Sequence, residues 1–219
     1  MGALLDRLVD NRDPRSVAAR LRRARFRLFR DLAAPLPRPV RVLDVGGTPV
    51  YWRTMGITEA DGYQITLLNR SKADVSESFL SAESGDARDL SRYADRSFDV
   101  VYSNSVIEHL GDLASQRRMA EEIRRVGRAY YVQTPNRGFP IEPHFLVPWF
   151  QFWPRGLQLA LVRRFDLGWY KKQPDPARAK ALLDEHRLLD EGELRALFPG
   201  ATIHHERFLG LTKSLIAVG

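Results

Sequence analysis

The amino-acid sequence predicts an α/β fold, with a doubly wound, mostly parallel sheet covered by helices on both faces. Short apolar, β-branched runs recur along the chain and are typical of buried parallel strands. Segments of helical periodicity lie between these runs, which favours right-handed crossover connections. Two further strand-like runs near the C-terminus are separated by only a few residues. This spacing predicts an antiparallel hairpin at one edge of the sheet.

Four runs in the middle of the chain carry the strand predictions: Val40–Val45, Tyr63–Leu68, Phe98–Ser103 and Ala129–Gln133. A helix is predicted between the last two runs, at about Leu113–Val126, because Met119, Ile123 and Val126 recur at helical spacing. Strand and helix therefore alternate regularly from residue 40 onwards, as an α/β sheet requires.

The chain divides by composition into an N-terminal extension and a main domain. Residues 1–39 are predicted to be a basic helical extension whose apolar face is formed by Val17, Leu21, Ala24 and Leu28. Three closely spaced prolines end this helix. The main domain is predicted over residues 40–219. Because the sheet begins at residue 40, residues 1–30 are expected to be dispensable for the fold.

The C-terminal part begins with a segment that is crowded with aromatic residues and prolines, over residues 137–175. This aromatic cover segment has three interpretations: a lid over a substrate, a part of the core, or a membrane-contacting surface flanked by arginines. A polar helix is predicted near Asp190–Leu197, and the closing strands are predicted near Thr202–Phe208 and Thr212–Val218.

Composition limits the classes of function. The 219 residues carry a net charge of +7 and no cysteine, which excludes disulfides, thiolate metal sites and a cysteine nucleophile. The positive charge favours anionic partners such as phosphorylated substrates, nucleic acid or acidic lipid surfaces, and it also fits a basic protein that binds no polyanion. The sequence shows neither a signal-peptide pattern nor a run of about 18 apolar residues, so a cytoplasmic location is expected.

The first predicted strand runs into the turn Asp44-Val45-Gly46-Gly47-Thr48, where backbone N–H groups can approach a ligand closely. A nicotinamide site would need the spacing G-x-G-x-x-G and an acid closing the second strand. Here Thr48 and Tyr51 occupy the later glycine positions, and Asn69 closes the strand. Dinucleotide binding is therefore disfavoured.

With Asp44 included, this turn resembles the D-x-G-x-G motif of class I S-adenosylmethionine-dependent methyltransferases, which have a Rossmann-like fold. The resemblance covers about residues 40–136, and the segment Phe98–Leu110 is similar to the motif of that family at its fourth strand. It implies that Gly46 and Gly47 line the methionine part of S-adenosylmethionine, that Asn69 reaches the ribose, and that Asp86, after a third strand, reaches the adenine. The full set of implied cofactor residues is Asp44, Gly46, Gly47, Thr48, Asn69, Arg70, Asp86, Ala87, Ser103 and Asn104.

Two positions depart from the pattern of that family. Thr48 replaces the second glycine and is expected to narrow the turn. Asn69 replaces an acid and, as a neutral acceptor, binds a hydroxyl less strongly than a carboxylate does. Both changes bear on the affinity for the cofactor more than on its identity.

Three residues are candidates for catalysis on the acceptor side. Methyl transfer to oxygen needs a base, and a histidine suits that role. His109 follows the predicted strand Phe98–Ser103, and its neighbour Glu108 could orient it, bind a substrate hydroxyl or cap a helix. His144 lies in the aromatic cover segment as a second candidate base. No pair of histidines with nearby carboxylates shows a convincing metal spacing, so no metal site is predicted.

The sequence therefore favours methyl transfer to a small or lipid-like molecule, with oxygen as the acceptor atom. A nucleic-acid methyltransferase is the alternative that the charge suggests, although Ser103-Asn104-Ser105-Val106 lacks the N/D-P-P-aromatic motif of enzymes that methylate base amines. A non-catalytic methyltransferase-like protein that binds a partner or a membrane surface is the other alternative.

Overall fold

A computed structural model describes residues 17–219, and its strands form one sheet. The segment before residue 17, with the start of the predicted N-terminal extension, lies outside the described residues. The strands are β1 (Val40–Val45), β2 (Tyr63–Asn69), β3 (Leu80–Ser84), β4 (Phe98–Asn104), β5 (Gly127–Pro135), β6 (Thr202–Phe208) and β7 (Leu211–Val218). Their order in the sheet is β3-β2-β1-β4-β5-β7-β6, and β6 pairs antiparallel with β7. The predicted fold class, including the edge hairpin, is confirmed.

One helix precedes β1, and the others lie in connections between strands. They are α1 (Val17–Ala33), α2 (Pro49–Thr54), α3 (Leu113–Val126), α4 (Arg155–Arg164), α5 (Pro176–Asp184) and α6 (Glu191–Leu197). Helix α3 has the predicted bounds, and Met119, Ile123 and Val126 on its apolar face are fully buried. Among residues 17–219, no helix combines the length and the apolar character that crossing a membrane would require.

The described chain separates into two compact units. The first unit contains residues 17–102 and Arg124–Tyr131, and the second contains Ser103–Ile123 and Val132–Gly219. Strands β4 and β5 each begin in the first unit and end in the second. This division differs from the predicted boundary at residue 40, because α1 groups with the first strands.

The core of the first unit is a cluster of aromatic rings around α1. Phe29 is fully buried, and its ring centroid lies 5.5 Å from that of Trp52 and 5.2 Å from that of Tyr102. Phe26 is also buried and packs edge-on against Trp52. Each ring removes a large apolar area from water. Deletion of residues 1–30 would remove Phe26 and Phe29 from this cluster, so we now expect it to lower the stability of the fold.

Helix α1 therefore buries a different face from the one that was predicted. Ala24 is exposed, and Leu21 and Leu28 are only half-buried. The aliphatic spacing suggested that face, but phenylalanine buries more area per side chain, and Phe26 and Phe29 decide the orientation.

Strand β3 was not visible in the hydrophobic pattern and was implied only by the family resemblance. Its sequence LSAES has two buried positions, Leu80 and Ala82. It pairs parallel with β2 at the end of the sheet order, with Asn69 opposite Ser84. An edge strand has one unpaired side and needs fewer apolar residues, which explains why the sequence did not reveal it.

The aromatic cover segment contributes to the core of the second unit, together with α4 and α5. Phe145 and Phe150 pack with Val162, Ala179 and Leu183 in one buried cluster. Other aromatic residues of the segment remain exposed: Trp149, Phe152, Phe165 and Trp169. The segment is thus partly core and partly an aromatic surface.

Candidate functional site

The glycine turn after β1 is built around the side chain of Asp44. This carboxyl group is 1% exposed and accepts a hydrogen bond of 2.7 Å from Nε1 of Trp52. The backbone of Gly47 crosses directly above it, so that a Cβ atom at this position would overlap the Asp44 carboxylate. Gly46 has a φ of 84°, in the region that favours glycine. The turn thus exposes backbone atoms without side chains, and a ligand can approach them closely.

Burial raises the pKa of Asp44 to about 7, and the hydrogen bond from Trp52 opposes this shift. The native state therefore binds a proton that the unfolded chain has lost above pH 3.8. This group favours folding below pH 4, and its contribution is lost as the pH rises toward 7.

Replacing Asp44 by Asn is expected to remove this pH dependence while keeping the acceptor for Trp52. The free energy of unfolding of the wild type should fall, relative to that of Asp44→Asn, by about 3 kcal/mol between pH 4 and pH 7. Urea unfolding of both proteins at several pH values measures the difference. Parallel pH profiles for the two proteins would show that Asp44 ionises normally.

Thr48 has a structural role at the end of the turn. Its side chain is exposed and caps α2, because Oγ1 accepts a hydrogen bond of 3.3 Å from the backbone N–H of Tyr51. Pro49 follows at the first helical position, where the missing N–H costs no hydrogen bond. The replacement of glycine by threonine therefore has a local structural reason.

Asn69, at the end of β2, supports the same turn. Its Nδ2 donates a hydrogen bond of 2.7 Å to the backbone carbonyl of Gly47. This orientation leaves the Oδ1 atom as an acceptor for a ligand hydroxyl. An aspartate at this position could not donate to that carbonyl while ionised, so asparagine serves both as a brace for the turn and as an acceptor. The neighbouring Arg70 is exposed.

Asp86 and Ala87 are half-buried in the loop after β3. The side chain of Asp86 accepts hydrogen bonds from Nε and Nη2 of Arg88 and from its backbone N–H. These contacts with Arg88 lower the pKa of Asp86 to about 2. Asp86 is thus a fixed carboxylate that still has lone pairs for an amino group.

Ser103 and Asn104, at the end of β4 in the second unit, carry buried polar atoms. Within the part of the chain that the structure describes, Oγ of Ser103 and Oδ1 of Asn104 have no hydrogen-bond partner. Buried polar atoms in this condition are expected to meet a ligand or an ordered water.

Glu108 and His109 follow in a short 3-10 turn over Ile107–Leu110. Glu108 is completely buried, and its Oε2 accepts a hydrogen bond of 3.1 Å from the hydroxyl of Thr134. Its backbone carbonyl accepts from the N–H of Arg187. His109 is half-buried, and its ring centroid lies 4.8 Å from that of His144. The structure thus brings together the two histidines that the sequence selected.

His144 is oriented by a buried acid in its own loop. Its Nδ1 lies 2.7 Å from Oε1 of Glu142, which is 3% exposed. The other oxygen of Glu142 accepts the backbone N–H groups of His144 and Phe145. Nδ1 therefore donates to the carboxylate, and Nε2 of His144 keeps its lone pair.

His186, between α5 and α6, is a third histidine that sequence reasoning missed. Its ring centroid lies 4.4 Å from that of His144 and 4.9 Å from that of His109. Burial lowers the pKa of His186, and the nearby His144 lowers it further. No sequence motif connects His186 with His109 and His144, since it lies far from both along the chain.

A pocket of about 200 Å³ adjoins this histidine cluster within the second unit. His186, one of the three clustered histidines, lines this pocket together with Glu142. The apolar part of the lining is Phe145, Phe150 and Leu183. Arginines also line it, and each pairs with an acid: Arg137 with Asp190, Arg155 with Asp184, and Arg187 with Glu193. The pocket is therefore amphipathic and balanced in charge.

In comparison with known proteins, residues 43–129 match the family model of a methyltransferase domain. An uncharacterized protein of Mycobacterium tuberculosis, Rv1509, is 31% identical over 148 residues, which is 61% of this chain and 48% of that protein. The chain thus spans about half the length of the curated relatives that it matches.

Solved structures show the same fold at low sequence identity. A methyltransferase from Methanosarcina mazei, described as SAM-dependent, matches with a TM-score of 0.52 and 14% identity, over 87% of this chain and 94% of that one. The CurJ carbon methyltransferase matches with a TM-score of 0.56 and 14% identity, over 92% of this chain and 54% of that one.

The family match covers residues 43–129, and the solved structures share the Rossmann-like fold of S-adenosylmethionine-dependent methyltransferases. S-adenosylmethionine is the cofactor that this similarity implies. The residues of the first unit fit this cofactor. The bare backbone at Gly47 permits close approach, and Asn69 offers a carbonyl acceptor for a hydroxyl. Asp86 offers a carboxylate that can accept from an amino group.

Proposed function

We propose that the chain transfers the methyl group of S-adenosylmethionine to an oxygen atom of a small or lipid-like molecule. The observation that carries this proposal is the cluster of His109, His144 and His186 beside an amphipathic pocket. The cofactor supplies a methyl group that is already activated by its sulfonium, so the protein needs to align the acceptor and to remove its proton.

The histidine cluster is suited to activate a hydroxyl group. Glu142 fixes the tautomer of His144, so that the free lone pair of the neutral ring lies on Nε2. A carboxylate–histidine pair of this kind holds the ring in position and fixes which nitrogen accepts a proton. The conversion of the acceptor hydroxyl to a stronger nucleophile is therefore assigned to this cluster.

The pocket favours a small acceptor that has both apolar and polar parts. Phe145, Phe150 and Leu183 provide apolar contacts, while the paired arginines provide N–H donors. Because each of these arginines is neutralised by an acid, the pocket offers no excess positive charge for the phosphates of a nucleic acid. The balance of charge supports a small-molecule acceptor over a nucleic acid.

Peripheral contact with a membrane surface is a second part of this proposal. Trp149, Phe152 and Trp169 are each about half exposed, at 49%, 56% and 58%. Tryptophan and basic residues together are typical of segments that lie at a lipid interface. Such contact would deliver a lipid-like acceptor, and a cytoplasmic location belongs to the same proposal.

The proposed activity is tested in two stages with the full chain. S-adenosylmethionine is expected to bind with a dissociation constant on the order of micromolar and to raise the melting temperature at a 100-fold excess. Small hydroxyl-bearing molecules, detergent-dispersed lipid alcohols and a mixed RNA sample are then screened for formation of S-adenosylhomocysteine.

Acceptor-dependent product with a hydroxyl compound or a lipid alcohol would support the proposal. Product with RNA alone would favour the nucleic-acid alternative. Cofactor binding without turnover on any acceptor would favour the non-catalytic one. An unchanged melting temperature at millimolar cofactor would contradict the cofactor site itself.

A further inference from the structure

The histidine cluster has the composition and geometry of a metal site. One ligand nitrogen from each of His109, His144 and His186 lies within 4.8 Å of the other two. Three Zn–N bonds of about 2.1 Å in tetrahedral geometry would place these nitrogens about 3.4 Å apart. Binding of an ion would therefore bring these nitrogens closer together by up to about 1.4 Å.

The hydrogen bonds at Nδ1 of His144 and His186 are also those expected of metal-binding histidines. Nδ1 of His144 bonds to the carboxylate of Glu142, and Nδ1 of His186 lies 2.8 Å from the backbone carbonyl of Leu182. Both acceptors fix the proton on Nδ1 and leave Nε2 as the electron-pair donor. Metal-binding histidines almost always donate their second ring N–H to a carboxylate or a backbone carbonyl.

We propose that His109, His144 and His186 bind a divalent transition-metal cation of the zinc class through their ring nitrogens. Three imidazoles without a thiolate suit zinc and its neighbours, and they leave the fourth position open for water or an oxygen ligand. The proposal that the cation binds does not depend on the proposed function. The further idea that the bound cation lowers the pKa of an acceptor hydroxyl rests on that function.

Tyr170 is the group that competes with the cation. Its hydroxyl lies 2.7 Å from Nε2 of His186 and, because Nδ1 of that ring is the donor, it donates this hydrogen bond. The cation must displace this bond, whose net value of about 1 kcal/mol corresponds to roughly a fivefold change in affinity. Removal of the hydroxyl should therefore tighten cation binding.

The test uses the full chain without a histidine tag, stripped with a chelator and titrated with Zn²⁺ in a calorimeter and with Co²⁺ in a spectrophotometer. The wild type is expected to bind one equivalent with micromolar affinity or better and to give the intense visible absorption of tetrahedral Co²⁺. His186→Gln should weaken binding at least 100-fold. The matched control His205→Gln, an exposed histidine on β6, should bind as the wild type does.

Tyr170→Phe keeps all three histidines and is expected to bind the cation up to fivefold more tightly. A tenfold loss in this variant would contradict the three-histidine ligand set, because it would make the phenol a ligand. Equal binding by the wild type and His186→Gln, or no binding at 100 µM Zn²⁺, would overturn the proposal. S-adenosylmethionine binding, measured as a thermal shift in each variant, reports separately on folding and on the methyltransferase assignment.

Discussion

Replacing Gly47 by alanine is expected to weaken S-adenosylmethionine binding at least 100-fold and to lower the melting temperature of the protein. A Cβ atom at this position would overlap the carboxyl group of Asp44. That side chain cannot rotate away freely, because it is 1% exposed and bonded to Trp52. Either the turn after β1 moves or the Asp44–Trp52 bond breaks. Both changes displace the backbone that the cofactor needs to approach.

Isothermal calorimetry with S-adenosylmethionine and a thermal melt of the apo protein measure the two effects of Gly47→Ala. Gly156→Ala in α4 is the matched control, since a Cβ atom there has no neighbour within 4 Å among the described residues. This control should retain cofactor affinity and gain up to about 1 kcal/mol from the higher helix propensity of alanine. Unchanged cofactor affinity in Gly47→Ala would show that the turn after β1 does not contact the cofactor.

Replacing His144 by alanine is expected to lower turnover by about 100-fold or more at unchanged cofactor affinity. The ring lies in the histidine cluster, is only 12% exposed and is held by the carboxylate of Glu142. Loss of a group that deprotonates the acceptor costs typically 10²–10⁴ in rate. The same loss is expected if the ring acts as a ligand to the proposed cation. His109→Ala is expected to show a loss of similar size.

The rate of S-adenosylhomocysteine formation, with the acceptor found in the screen, measures the effect of His144→Ala. The control His205→Ala changes an exposed histidine of the same unit and should leave the rate unchanged. Full activity in both His109→Ala and His144→Ala would show that alignment alone carries methyl transfer. Loss of cofactor binding in either variant would place that histidine in the cofactor site instead.

The sequence by itself determined the fold class and most of its elements. Buried parallel strands such as β1 and β2 are continuous apolar runs, and α3 has an apolar face at helical spacing, so their local patterns reflect their burial. The glycine turn was also visible, since Asp44, Gly46 and Gly47 lie within four residues of the chain and their spacing forms the motif. Features that depend on neighbours along the chain were thus predictable.

Other features depended on partners that are distant in sequence. The buried face of α1 was assigned to aliphatic residues, whereas Phe26 and Phe29 pack against Trp52 and Tyr102. In the sequence, Thr48 and Asn69 were departures from the methyltransferase pattern that were expected to weaken cofactor binding. The structure gives each a local role, because Thr48 caps α2 and Asn69 braces the turn. Hydrogen bonds of this kind are set by three-dimensional position, which the sequence pattern does not encode.

Only the tertiary structure brought the histidine cluster together. His109 follows β4, His144 lies in the aromatic cover segment, and His186 lies between α5 and α6. No spacing rule connects three such positions, so the sequence predicted two separate candidate bases and no metal site. Packing of the second unit places the three rings within contact distance. Sequence alone therefore could not predict the acceptor side, because imidazole rings can act together as bases or ligands only when folding brings their nitrogens close to one another.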